Sequence, residues 1–231
     1  MTGRRDAMLR AGLRLVLAPL VRVLYRPVVE GRDNVPRHGP VILAANHLSF
    51  FDSIVIPLVA GRSVSFLAKA EYFRGGGPTG RLQRGFFTAL EAVPVERGGH
   101  RAAQAALAAA AEVLAAGRAF GIYPEGSRSR DGRLYRGRTG VAWLAFRSGA
   151  PVVPVALCGT ERIQPVGARL PRIRRVTVRF GAPLHFAPPA GAHAAGALRR
   201  AATDEVMAAI QALSGQEPAG RFAENTPDVT T

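Results

Sequence analysis

The chain has 231 residues, 48% of them hydrophobic, which is enough for one domain with a buried core and short for two. Its 31 basic residues against 16 acidic ones give a net charge of +15, which predicts an anionic partner such as a lipid surface, a phosphorylated substrate or nucleic acid. The single cysteine, Cys158, excludes an internal disulfide and fits a reducing compartment.

Residues 1–27 predict a basic amphipathic helix, because leucine and valine recur at helical spacing with arginines between them. Arg14 and Arg22 interrupt the apolar run before the roughly 18 to 20 residues that a membrane span needs, and no small-residue cleavage site follows. We therefore expect neither a span nor a signal peptide. The helix either lies on an anionic membrane surface, at the cytoplasmic face of the cell membrane, or packs on its own domain with its arginines in solvent.

A histidine and an aspartate follow the first strongly apolar run. Residues 41–45 predict a buried strand and the segment from Asp52 predicts a helix, so His47 lies where a strand ends and Asp52 where a helix begins. A carboxylate beside an imidazole fixes its tautomer and stabilises the imidazolium, which makes the pair a candidate general base. Since the chain has no Gly-x-Ser-x-Gly motif, the nucleophile could be a substrate hydroxyl, which points to acyl transfer onto an alcohol. The structural alternative is a helix-capping aspartate beside a hydrogen-bonded histidine.

The rest of the chain alternates between strand and helix patterns. These patterns predict an α/β domain over residues 28–213, with a mixed sheet flanked by helices, and a disordered polar tail over 214–231. Strands are expected over 27–31, 63–68, 90–95, 119–123, 151–157 and 175–180, and helices over 81–87, 101–116, 141–147 and 195–213. The stretch Gly75–Gly80 matches Gly-x-Gly-x-x-Gly, but no strand directly precedes it and Pro78 lies inside, so we expect a flexible loop without nucleotide.

A second polar motif, Pro124-Glu125-Gly126-Ser127-Arg128-Ser129, follows the strand over 119–123. Pro124 ends the strand, Gly126 allows a tight turn, and the planar guanidinium of Arg128 matches a phosphate monoester. Glu125 can hold the arginine or a substrate hydroxyl. A charged surface turn is the structural alternative.

Together the two motifs resemble the signatures of the glycerolipid acyltransferases, the family that includes 1-acylglycerol-3-phosphate acyltransferase. The first is Asn46-His47-x-Ser49-x-x-Asp52, and in the second Tyr123 and Ser127 replace the family's usual Phe and Thr. The resemblance runs from about Val28 to Leu184 and implies a glycerol-3-phosphate acyltransferase-like fold, phospholipid biosynthesis, and no metal or redox cofactor. It implies that His47, oriented by Asp52, takes the proton of a lysophospholipid hydroxyl, whose oxygen attacks the thioester of acyl-CoA or acyl carrier protein.

The resemblance also assigns substrate-binding residues. Lys69, the one lysine of the chain, stands in a Lys-x-Glu at a family position, and Arg97 follows a predicted strand where the family holds the acceptor phosphate. Arg138 replaces a frequent lysine and keeps its charge with a different geometry. A solvated charge pair at Lys69 and a solvent-facing Arg97 are the structural alternatives. The full expected set is Asn46, Ser49, Lys69, Arg97, Glu125, Gly126, Ser127, Arg128 and Arg138.

Several alternatives stay open at this point. The acceptor is expected to be 1-acyl-sn-glycerol-3-phosphate, giving phosphatidic acid, but glycerol-3-phosphate, another lysophospholipid or a lyso-aminolipid could use the same residues. A peripheral lipid-binding protein without catalysis would share the basic helix and would not need His47 and Asp52. Nucleic acid is not expected, since the chain has no finger, helix-turn-helix or aromatic RNA-binding signature. No metal cluster is expected, because the histidines other than His47 are scattered singly along the chain.

Overall fold

The computed structural model describes residues 19, 23–96, 98–165, 170–188 and 195–224. Through this part of the chain runs one seven-stranded sheet in the order β1-β7-β6-β2-β5-β3-β4. The strands are β1 Val28–Glu30, β2 Val41–Ala45, β3 Val64–Lys69, β4 Val93–Val95, β5 Ala119–Ile122, β6 Val152–Cys158 and β7 Thr177–Phe180. All neighbouring strands are parallel except β6 and β7. The predicted mixed α/β sheet is therefore confirmed.

Helices cover both faces of this sheet. They are α1 Asp52–Val59, α2 Glu71–Arg74, α3 Gly77–Ala89, α4 Gly99–Ala115, α5 Gly140–Ser148 and α6 Ala195–Ser214. Every residue of β2 is buried; Val41, Leu43 and Ala45 pack with α1, whereas Ile42 and Ala44 pack with α4, α5 and α6. Because side chains alternate along a strand, a run that is apolar at every position is typical of a strand covered on both faces.

The glycine-rich stretch predicted as a loop begins a helix instead. Helix α3 starts at Gly77 with Pro78 in its first turn, where the missing N–H of proline costs nothing. Gly80 lies directly against the backbone of Gly75, so the helix and its entry pack too closely for a side chain there. Residues 90–92 terminate this helix through backbone bonds to its last turn, which shortens the strand expected over 90–95 to Val93–Val95.

The disordered tail predicted from residue 214 is wrong for residues 215–224, which we call the C-terminal strap. Its backbone pairs with the segment after the second motif: Leu134 N–H donates to Glu217 O at 2.9 Å, and Ala219 N–H donates to Leu134 O at 2.8 Å. Arg136 N–H donates to Arg221 O at 2.8 Å. The polar composition was misleading because the strap is held by backbone hydrogen bonds more than by apolar burial. Residues 225–231 lie outside the described residues.

Most of the predicted N-terminal amphipathic helix, residues 1–18 and 20–22, also lies outside the described residues. Residues 23–25 are helical, and the ring of Tyr25, buried in the core, lies 6.0 Å from the ring of Phe51. Of the helices that the structure describes, none combines the length and the apolar content needed to cross a membrane.

Candidate active site

The turn between β2 and α1 brings the predicted histidine and aspartate into contact. His47 Nδ1 lies 2.9 Å from Asp52 Oδ2, and the same oxygen accepts the backbone N–H groups of Leu48 at 2.7 Å and Ser49 at 2.8 Å. Asp52 has no exposed side-chain surface, whereas the His47 side chain is 16% exposed. Asp52 thus folds the turn and orients the ring, while the ring still reaches the surface.

This contact bears on which imidazole nitrogen carries the proton. An ionised carboxylate only accepts hydrogen bonds, so the proton of a neutral His47 lies on Nδ1 and is donated to Asp52. The lone pair then lies on Nε2. The carboxylate carries three hydrogen bonds on one oxygen and begins α1, where the positive end of the helix dipole favours negative charge.

Tyr123 holds the imidazole from its face. The two rings are stacked with centroids 3.8 Å apart and planes within 9°. Tyr123 also stacks on Phe66 at 5.3 Å, and its hydroxyl is 2.8 Å from Ser53 Oγ. Burial and the nearby Asp52 carboxylate raise the pKa of Tyr123 well above its usual value, so its phenol stays neutral. From the sequence, Tyr123 was only a replacement for phenylalanine. Tyr123 follows β5, and only the parallel pairing of β5 with β2 brings it beside His47.

Glu125 supports the backbone of the histidine. Its Oε1 accepts the N–H of His47 at 2.9 Å and its Oε2 accepts the N–H of Tyr135 at 2.9 Å. The residue has no exposed surface, so the expectation that this carboxylate holds an arginine or a substrate hydroxyl is not met. Ser129 N–H adds a 2.7 Å bond to His47 O, so the second motif clamps the first through the main chain.

Burial also changes the acidity of this carboxyl group. It raises the pKa of Glu125 from 4.5 to about 7, against the opposing effect of the Tyr135 and His47 N–H donors, and the negative charges of Asp52 and Asp131 add to the rise. Ionised and neutral forms of Glu125 therefore exchange near neutral pH.

Asn46 and Ser49 build the turn and do not face a substrate. Asn46 has no exposed surface; its side chain accepts the N–H of Leu157 at 2.7 Å and donates to the carbonyl of Leu157 at 2.9 Å, which ties the end of β2 to β6. Ser49 is 3% exposed, and its Oγ accepts the N–H of Phe51 at 3.3 Å. Their prediction as substrate-binding residues is therefore corrected: both are buried structural groups.

The second motif forms a turn that gathers polar donors. Gly126 has φ +81°, a left-handed backbone conformation that favours glycine, and the Arg138 side chain packs against it, with Nε 2.8 Å from where a Cβ would lie. Arg138 N–H donates to Pro124 O at 2.7 Å. Ser127 and Arg128 are half-buried on the same turn. Ser127, Arg128 and Arg138 thus belong to one loop, which is closed by the hydrogen bond between Arg138 and Pro124.

The two remaining predicted cations come from the neighbouring strands. Lys69 is half-buried at the carboxyl end of β3. Since β3 and β2 are both parallel to β5, Lys69 and His47 lie at the same end of the strands. Arg97 lies outside the described residues. Among the residues that are described, no three histidine, cysteine, aspartate or glutamate side chains come together to hold a metal ion.

A cavity of about 520 Å³ lies apart from this turn, beside the edge strand β1. Its lining contains three arginines, Arg26, Arg32 and Arg175, with Pro27, Val29 and Val59 between them. His47 is not among the residues that line this cavity. The candidate active site is therefore not the cavity; it lies at the carboxyl end of the central strand β2, where the ring of His47 is partly exposed.

Comparison with known proteins matches residues 26–158 to the family model Acyltransferase. The chain is 32% identical over 145 residues to the chloroplastic 1-acyl-sn-glycerol-3-phosphate acyltransferase LPAT1 of Arabidopsis thaliana, covering 62% of this chain and 39% of that protein. It is 29% identical over 134 residues to a 1-acyl-sn-glycerol-3-phosphate acyltransferase of Borreliella burgdorferi, covering 58% of this chain and 52% of that protein. The match spans about half or less of the length of these relatives.

A solved structure extends the similarity beyond the family model. The crystal structure of the 1-acyl-sn-glycerophosphate (LPA) acyltransferase PlsC from Thermotoga maritima superposes with a TM-score of 0.62 at 25% identity, covering 90% of this chain and 84% of that one. The family model covers both polar motifs, with the histidine, its buried carboxylate and the turn that clamps them. The chain belongs to the Acyltransferase family.

Proposed function

We propose that the protein transfers an acyl group from acyl-CoA or acyl carrier protein to the free hydroxyl of 1-acyl-sn-glycerol-3-phosphate, which yields phosphatidic acid. The observation that carries this proposal is the His47–Asp52 contact of 2.9 Å, in which the carboxylate is fully buried and the imidazole is still 16% exposed. Family membership and the names of the relatives support the acceptor.

The reaction needs one base that later becomes an acid. His47 Nε2 removes the proton of the acceptor hydroxyl while that oxygen attacks the thioester carbonyl, and Asp52 stabilises the resulting imidazolium. The tetrahedral intermediate then collapses: the C–S bond breaks, the new C–O bond remains, and the proton passes from Nε2 to the departing sulfur. Positioned proton transfer of this kind contributes roughly 10²–10⁴-fold to the rate.

The acceptor's phosphate is proposed to bind at the turn of the second motif. Arg128 and Arg138 carry planar guanidinium groups that match a phosphate, and Ser127 shapes the turn that presents them. Lys69 and Arg97 are proposed as further cations. The turn is bonded to His47 through Glu125 and Ser129, so a phosphate held there would stand at a set position relative to the imidazole.

The direct test is a panel of acceptors assayed with one labelled acyl donor. Purified protein should form phosphatidic acid from lysophosphatidate faster than it acylates glycerol-3-phosphate, a lysophosphatidylcholine or a lyso-aminolipid. The donor is supplied as acyl-CoA and, separately, as acyl carrier protein. Thiol release that proceeds equally without any acceptor would identify a thioesterase and contradict the proposal.

The phosphate site is tested by replacing one arginine. Arg128→Ala should raise the acceptor KM about tenfold and leave the donor KM unchanged, because a lost guanidinium fork weakens phosphate binding only. Arg37→Ala, which removes an exposed arginine from the loop before β2, is the matched control. An effect confined to the donor KM would assign Arg128 to the donor instead.

We also propose that the basic N-terminal region binds an anionic membrane surface at the cytoplasmic face. The support is its charge: arginines stand at positions 4, 5, 10, 14 and 22 among apolar residues. Sedimentation with vesicles should show binding to anionic phospholipid that weakens with salt. Equal retention by neutral vesicles would contradict it.

A further inference from the structure

The C-terminal strap, residues 215–224, lies outside the family-matched residues 26–158 and yet contacts the turn proposed to hold phosphate. Its backbone bonds to Leu134 and Arg136 place it beside the chain that leads from the second motif to Arg138. Four residues of the strap make further contacts toward the candidate active site. They involve the side chain of Gln216, the ring of Phe222 and the carbonyls of Ala223 and Glu224.

Gln216 links the strap to the residue beside the histidine. Its Oε1 accepts from Asn46 Nδ2 at 2.7 Å, and its Nε2 donates to Gly132 O at 2.7 Å. Asn46 has no exposed surface, and one N–H of its side-chain amide donates to Leu157 O. Gln216 accepts the other N–H, which would otherwise be buried without a partner. The strap is thereby tied both to the end of β2 and to the loop after the second motif.

Phe222 contacts two cations of that loop. Its ring centroid lies 5.2 Å from Arg136 Cζ and 5.9 Å from Arg138 Cζ, within the range of cation–π attraction. A guanidinium held through an aromatic ring keeps its N–H groups for other acceptors. Arg138 uses only one of its donors on the strap, a 3.4 Å bond to Ala223 O.

Glu224, the last residue of the strap, contacts the turn of the second motif. Ser127 Oγ donates to Glu224 O at 3.2 Å, next to the Arg138 bond to Ala223. Arg138, which is proposed to bind phosphate, and Ser127, which shapes the turn that presents it, are therefore positioned by consecutive carbonyls of the strap.

We propose that the C-terminal strap is a wall of the acceptor site, in which Phe222 and Gln216 are positioning residues. Phe222 holds the guanidinium groups of Arg136 and Arg138 where the acceptor's phosphate binds, and Gln216 holds Asn46 beside His47. This inference rests on the proposed function, because it assigns to the strap the affinity for a phosphate monoester.

The test compares Phe222→Ala with Phe222→Tyr, which keeps the aromatic face. Phe222→Ala should raise the acceptor KM about three- to tenfold with kcat and donor KM within about twofold, and Phe222→Tyr should restore the acceptor KM. Leu198→Ala, on α6, is the matched control, because Leu198 and Phe222 are both 43% exposed. An unchanged acceptor KM in Phe222→Ala, or an equal loss in Leu198→Ala, would overturn the proposal.

A second measurement separates the strap from the chemistry. Calorimetric titration with sn-glycerol 3-phosphate reports phosphate binding without turnover. Phe222→Ala should raise the Kd for this probe roughly three- to tenfold. If the wild type binds this probe and the variant binds it less tightly while no acceptor is acylated, the strap proposal holds and the proposed acyl transfer fails. If acylation of lysophosphatidate proceeds and the variant binds the probe as the wild type does, the strap proposal fails alone.

Gln216→Ala gives an independent check through the buried asparagine. Removing the acceptor of the Asn46 N–H should lower kcat about three- to tenfold and leave the glycerol 3-phosphate affinity unchanged, since the change acts beside His47 and away from Arg138. Circular dichroism verifies that the fold persists. A variant with wild-type kcat would remove Gln216 from the set of positioning residues.

Discussion

Two loops at the carboxyl ends of neighbouring strands each carry a fully buried carboxylate in contact with His47, and the two carboxylates bond different parts of that residue. Asp52, after β2, bonds the imidazole at 2.9 Å, whereas Glu125, after β5, bonds the backbone N–H of the same residue at 2.9 Å. The first can stabilise a charge that forms on the ring; the second can only fix where the ring stands. Burial and proximity to His47 alone therefore do not distinguish a carboxylate that bonds the imidazole from one that bonds the backbone.

The largest expected effect comes from removing the ring that both loops hold. His47→Ala should lower kcat about 10³- to 10⁴-fold because no other described group in the turn offers a base to the acceptor hydroxyl. Acyl transfer is measured under saturating donor and acceptor. His38→Ala, which removes an exposed histidine, is the control. A His47→Ala protein with wild-type turnover would exclude His47 as the base.

Asp52→Asn tests the first loop. The asparagine carbonyl oxygen can still accept the bonds from Leu48, Ser49 and Nδ1, but the neutral amide no longer stabilises the imidazolium, so kcat should fall about 10²- to 10³-fold. Asp33→Asn, at an exposed position, should leave kcat unchanged. If Asp52→Asn lowered kcat no more than a Glu125 variant does, the distinction between the two loops would be lost.

Glu125→Gln tests the second loop, and its largest effect is on stability. An amide has one acceptor oxygen for the two backbone donors, so one buried N–H loses its partner at a cost of about 1–3 kcal/mol, with a smaller fall of about tenfold in kcat. Urea unfolding of the variant and the wild type measures the first effect. Glu205→Gln, at an exposed position, is the control.

The raised pKa of Glu125 adds a pH dependence with a defined sign. Because the pKa rises from 4.5 in the unfolded chain to about 7 in the folded one, the folded state binds the proton more tightly between these values. The wild-type free energy of unfolding should therefore fall as pH rises through this window, by up to about 3 kcal/mol, and Glu125→Gln should lack this slope. The deficit of the variant should thus be smaller at about pH 8 than at about pH 5. An equal deficit at both pH values would contradict the raised pKa.

The smallest effect is expected at the stacked tyrosine. Tyr123→Phe removes the hydroxyl contact with Ser53 and keeps the ring on His47, so kcat should stay within about threefold of the wild type. Tyr123→Leu removes the stack and should cost more. If both variants lose the same activity, the hydroxyl and not the ring face supports His47.

The contact that the sequence predicted within the site, between His47 and Asp52, joins residues that are close in sequence. His47 and Asp52 stand five positions apart between a strand and a helix, so their contact follows from local structure. Glu125 lies 78 positions from His47, and its role depends on the parallel pairing of β2 with β5, which a motif does not report. Asn46 was expected to bind substrate, but its partners, Leu157 and Gln216, are 111 and 170 positions away.

The amino-acid sequence alone determined the alternation of strands and helices and the pairing of an imidazole with a carboxylate, because apolar periodicity and short spacings act between residues that are close in sequence. Tertiary structure alone decided that Glu125 supports a backbone, that Tyr123 covers the imidazole, and that a polar tail becomes the C-terminal strap. The physical reason is that these contacts join segments that are distant in sequence through backbone hydrogen bonds and ring faces. Every residue has a backbone, and such contacts leave no periodic pattern in the sequence.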